Sequence, residues 1–187
     1  MVEHFLGKEE VSGSSPDPSS IFPREVENMN KMLLVLMCLF LSTGAFSQTS
    51  QNQKINEQDD EGWTDIMWAC SEGRVQKVTD LIKLGANVNL PDVAGRTPLM
   101  ITATKGYVEI ISKLVEAGAK VDDVDRDGRT ALIWAAISGQ AKVAEKLYDL
   151  KADLNLKDKN GHTARAYAGI YKHKETEKKL KELEDRK

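Results

Sequence analysis

The chain has 187 residues, 41% hydrophobic and 29% charged, which gives room for one ordinary domain of soluble globular composition and excludes a fibrous or wholly disordered protein. Against totals of 26 Lys/Arg and 29 Asp/Glu, residues 1–47 take three and six, which leaves residues 48–187 balanced at 23 of each. That balance argues against a nucleic-acid binder relying on a strongly basic surface.

Residues 1–28 show no sustained periodicity and cluster Ser and Pro between positions 14 and 20, as in a disordered leader or sequence upstream of the true start. A different pattern begins at Met29. Lys31 supplies a short basic region, Met32 to Leu41 are apolar without interruption, and Ala45 and Ser47 sit like the −3 and −1 residues of a cleavage site. Residues 29–47 are therefore expected to be a secretory signal, with translation starting at Met29 and cleavage after Ser47 or Ala45. The run is too short to cross a bilayer, so no stable membrane span is expected after cleavage. Cys38 lies inside the run and reads as filler. The expected destination is periplasmic or secreted, and the lack of an Asn-x-Ser/Thr sequon after residue 47 favours a bacterial envelope. Residues 48–58 are polar and read as a linker.

From there the sequence repeats itself. Gly62, Gly95, Gly128 and Gly161 stand 33 residues apart, Thr64, Thr97, Thr130 and Thr163 keep the same step, and so do Gly73, Gly106 and Gly139. The segment DVAGRTPLMITATKGYVEIISKLVEAGAKVD, residues 92–122, resembles the ankyrin repeat, with further copies at 59–91, 125–157 and 158–187. The resemblance implies an all-α fold, an ankyrin-repeat α-solenoid of four helix-turn-helix repeats joined by finger loops.

The physics of one copy agrees. Thr97 suits an N-cap and Pro98 the first helical position, where its missing N–H costs nothing. Gly106 ends that helix, and Val108, Ile110, Ile111, Leu114 and Val115 have the spacing of a second, amphipathic helix closed by Gly118. The end copies read as caps. Lys77 replaces the Ile110 and Val143 of its neighbours, and the last helix is charged, with Glu175–Lys179 and Glu177–Lys181 placed as i,i+4 pairs. Two departures stand out. The family's histidine after T-P-L is replaced by Met67, Met100, Ile133 and Ala166, so its bonds across the finger must be missing or made otherwise. Lys151 occupies a left-handed glycine position, at a cost of about 1 kcal/mol if the backbone stays there.

Chemistry is sparse. Asp123, Asp125, Asp127 and Gly128 imitate the start of a calcium loop, but Trp134 stands where its bidentate Glu must be, so no metal site is expected. Trp68, Ile101, Trp134 and Tyr167 share one column, expected to pack between first helices as core in preference to forming a binding stripe. Trp63, in a column with Arg96, Arg129 and His162, is expected to point outward. Cys70, the only cysteine after residue 47, reads as a buried small hydrophobe. No nucleophile motif or phosphate loop is present, so neither an enzyme nor a cofactor is expected.

What the resemblance implies is a monomeric module that binds another protein through its concave face and finger tips. The positions concerned are Asp60, Glu61 and Trp63 in the first copy and Val93, Arg96 and Lys105 in the second. Arg126, Asp127, Arg129 and Ser138 follow in the third, and Lys159, His162 and Tyr171 in the fourth. The tips run from acidic in the first copy to basic in the last two. Two alternatives stay open here: a cytosolic ankyrin adaptor with a misread N-terminus, and a calcium-dependent envelope or stress protein.

Overall fold

A computed structural model describes residues 54–186; the expected leader, the signal segment and residues 48–53 of the linker lie outside the described residues. Eight helices lie wholly within that span, and no strand does. They form four pairs: α1 (Asp65–Ser71) with α2 (Val75–Lys83), α3 (Pro98–Lys105) with α4 (Val108–Glu116), α5 (Ala131–Ile137) with α6 (Ala141–Asp149), and α7 (Ala164–Ile170) with α8 (Lys174–Glu184). The first helices stack α1 on α3 on α5 on α7, and the second helices stack in the same order beside them. This is the four-repeat all-α architecture that the resemblance implies.

Stacking is what makes such short helices stable, because helices of seven to eleven residues cannot bury an apolar face alone. Leu81, Leu114, Leu147 and Leu180 occupy one column of the second layer, and all four are buried together with Ile111 and Ala144. The ends are adapted as the sequence suggested. Lys77 is exposed where Ile110 and Val143 are buried, and α8 keeps only Thr176, Leu180 and Leu183 inside. The expected ion pairs within α8 are replaced by others. Lys179 turns toward the preceding repeat and meets Glu145 at 3.3 Å, while Lys178 pairs with Glu182 at 3.9 Å.

Local signals act with one qualification. Thr130 and Thr163 cap their helices through bonds from the backbone N–H of Ile133 and Ala166. Thr97 has the extended N-cap backbone but makes no side-chain cap bond, so Pro98 at the first position carries that helix start. Gly106 ends α3 at φ 85°, and Lys151 does hold a left-handed φ of 72°. Lys172, at φ 60°, stands in the column of Gly73, Gly106 and Gly139 and was not expected there.

The end of the expected linker is part of the stack. Ile55 packs against the core, and the amide of Gln58 donates to the carbonyls of Gly62 and Pro91 at 2.6 and 2.8 Å. The Asn56 side-chain oxygen accepts from the backbone of Asn87 at 2.7 Å. Asn89 does the same for Lys120 at 2.9 Å, and Asp122 for Asp153 at 3.1 Å. Asn56, Asn89 and Asp122 are spaced at the repeat period, so the repeat contacts extend into the expected linker at least as far as Asn56.

Candidate protein-binding surface

Each finger is built around one aspartate. In Asp59, Asp92, Asp125 and Asp158 one carboxylate oxygen accepts backbone N–H bonds from the residues two and four positions on, at 2.8 to 3.0 Å. The second oxygen accepts from a side chain nine residues on: Trp68 at 3.0 Å, Trp134 at 2.9 Å, and the Tyr167 hydroxyl. In the second copy that column holds Ile101, which has no donor. There the Arg96 guanidinium turns onto Asp92, with Nε at 2.8 Å and Nη2 at 2.7 Å. These bonds join finger to helix in the absence of the family's histidine.

Electrostatics follow from the same bonds. The backbone N–H of Trp63, set against partial loss of water and helped by the Trp68 indole, holds the Asp59 carboxyl below its ordinary value. Loss of water pushes Asp158 upward, but bonds from Tyr167, the backbone of His162 and Asn160 outweigh it and leave that carboxyl lowered as well.

Neighbouring fingers are tied backbone to backbone. Val93 N–H donates to the Glu61 carbonyl at 3.1 Å, Arg126 to Ala94 at 3.1 Å, and Lys159 to Asp127 at 2.9 Å. Close approach demands glycine here: a Cβ on Gly62 would lie 2.7 Å from the Val93 nitrogen, and one on Gly95 2.9 Å from that of Arg126. The tips are thus held at fixed spacing by backbone bonds.

Between the fingers and the first helices lies a groove of about 380 Å³. Trp63 and Trp134 flank it, Met100 and Ile101 supply apolar wall, and Arg96, Thr104, Lys105 and Ser138 complete it. Trp63, Arg96, Lys105 and Ser138 are among the positions that the resemblance implies, so four of them from three copies meet in one place. The remaining ones spread along the surface. Asp60, Glu61, Val93, Arg126, Asp127, Lys159 and Tyr171 are exposed, whereas Arg129 and His162 are half-buried.

Several expectations need correction. Trp63 does not point freely outward; it is half-buried, its ring 4.6 Å from that of Trp68 with the Arg96 guanidinium 5.9 Å above it. The aromatic column is not uniformly core. Ile101 and Tyr167 are buried, Trp134 is half-buried, and Trp68 is 47% exposed, because each indole must leave the helix layer to reach its finger aspartate. Arg129 is a brace more than a free tip: it meets Asp127 at 3.2 Å and lies 5.2 Å from the Trp134 ring and 5.9 Å from that of Tyr167. Trp134 and Met100 as groove walls were missed. Their signal is visible only once the fingers are placed over the helices.

Two other features bear on chemistry. Both oxygens of Asp125 are taken by N–H donors, and Asp127 is paired with Arg129, so two of the three carboxylates of the calcium-loop mimic are engaged within the finger. Cys70 is fully buried, and burial pushes its thiol up to about 12 against a weaker opposing bond from Thr102.

A family model described as ankyrin repeats in three copies matches residues 35–125 and 66–158, together well over half of the chain. No curated protein matches the chain. The first three helix pairs and their fingers lie within the matched residues, and the chain belongs to the ankyrin-repeat family, whose repeats form a protein–protein interaction module.

Proposed function

We propose that the chain is an exported, non-enzymatic binding module that holds a protein partner, as a monomer, along its finger tips and the adjoining groove. Residues 29–47 serve as a cleaved signal, and the chain from Gln48 onward works in the periplasm or outside the cell. The observation that carries the binding site is the groove walled by Trp63, Ile101 and Trp134. Large aromatic side chains lining an open groove are the residue type that dominates interface energies. Finger backbones bonded to one another keep that surface preorganised, so little ordering remains to be done on binding. The tips add polarity, from Asp60 and Glu61 at one end to Arg126 and Lys159 at the other.

Two experiments test the two halves. Affinity purification with Trp63→Ala beside the natural chain should lose the partner, while melting falls by only a few degrees through the lost contacts with Trp68 and Arg96. N-terminal sequencing of the native product should begin at Gln48, or at Phe46 for the other cleavage site. A product that starts at Met1 or Met29 contradicts export by this signal.

A further inference from the structure

We infer that the groove between Trp63 and Trp134 takes an extended acidic peptide segment, one bulky apolar side chain lying over Ile101 and a neighbouring carboxylate pairing with Lys105. This rests on the binding-module reading and names the chemistry of the occupant. The groove walls contain two cations and no carboxylate. Arg96 is already answered by Asp92 at 2.7 Å. Lys105 is exposed and forms no ion pair among the described residues, so it is the uncompensated charge of the site.

The polar groups beside it point the same way. Thr104 spends its hydroxyl proton on the Ile101 carbonyl at 2.6 Å. Ser138 keeps its own, making no side-chain hydrogen bond among the described residues, and can donate to the second oxygen of a carboxylate. A neutral apolar occupant would strip water from the Lys105 ammonium without replacing it. A basic occupant would meet like charge. Among the tips outside the groove Arg126 and Lys159 are basic and Asp60, Glu61 and Asp127 acidic, so the charge that selects the occupant is that of Lys105 on the groove wall.

The test uses the full chain and a capped heptapeptide, Gly-Ser-Glu-Phe-Glu-Ser-Gly, at up to about 1 mM, the range in which a weak single-segment contact is measurable. Its counterpart carries Lys in place of both Glu. Calorimetry and the indole N–H signals of Trp63 and Trp134 are followed for the natural chain, Lys105→Glu and Ser138→Glu. The acidic peptide should move both indole signals, bind about tenfold more weakly to Lys105→Glu, and weaken as salt rises from about 50 to about 500 mM. Equal affinity for the two peptides, no effect of Lys105→Glu, or no indole change with either peptide overturns the inference. So does an oligothymidylate that moves the same signals in place of the peptide. If Lys105→Glu keeps a protein partner that Trp63→Ala loses, the acidic chemistry fails while the binding module stands. If Trp63→Ala keeps it too, the module reading fails with it.

Discussion

The indole N–H of Trp134 donates to the outer carboxylate oxygen of Asp125 at 2.9 Å, nine residues back along the chain, and so ties a helix to the finger that precedes it. Asp125 is buried and Trp134 half-buried, whereas Asp59 and Trp68 make the same bond in the open. Trp134→Phe should therefore cost about 1–2 kcal/mol, and Trp68→Phe well under about 1, since a bond lost at a buried charged acceptor leaves it unsatisfied. Urea unfolding of the two variants measures this, and equal losses would show that the finger bond contributes nothing specific.

The finger glycines separate two effects that usually travel together. Gly95 has φ 82° and would press a Cβ to 2.9 Å from the Arg126 nitrogen, while Gly161 has φ 81° with nothing within 4 Å. Gly161→Ala should cost about 1 kcal/mol, the strain of a left-handed residue alone. Gly95→Ala should cost roughly 2–4 kcal/mol, because the next finger must move as well.

Lys151 is the converse case. It is exposed and already left-handed at φ 72°, so Lys151→Gly should raise stability by about 0.5–1 kcal/mol, the relieved strain less the added freedom of the unfolded chain. A loss on thermal melting would mean that this side chain makes a contact worth more than its strain.

Cys70 should resist alkylation in the folded chain. Its thiol is buried and raised to about 12, so the reactive thiolate is scarce and out of reach. Labelling by a maleimide should track unfolding as urea is added; fast labelling of the native chain would contradict the burial of α1 against α3.

Acid should weaken the fold through its fingers. Asp59 and Asp158 have folded pKa values below the unfolded value of about 3.9, so each favours the folded state above that pH. Their contribution should be whole above about pH 5 and fade as pH falls below about 4 through the lowered values. Melting curves across that range should show it, with a smaller acid-induced drop in Asp158→Asn.

The repeat register was legible because glycine and threonine fall on a strict 33-residue step, glycine where the backbone takes a positive φ and threonine where a helix starts. Helix order and the charged end caps followed from it. The finger bonds were harder to read. Trp68, Trp134 and Tyr167 share bulk, which suggests packing, and also share an N–H or O–H at the tip, which decides where they go. Ile101 breaks that donor pattern, and only the placement of Arg96 on Asp92 reveals the substitution. Asn56 was hidden for another reason: its partner Asn87 lies 31 residues on, so a polar segment passed for linker. The groove depends on side chains from three copies, which no single repeat displays.

The central claim, that this stack of repeats works by holding a protein on its groove and tips, is tested most directly by affinity purification of the full chain and Trp63→Ala from the native compartment, with melting of both recorded. The account predicts a partner retained by the natural chain and lost from Trp63→Ala, which stays folded and melts only a few degrees lower. The same partner retained equally by both would contradict it.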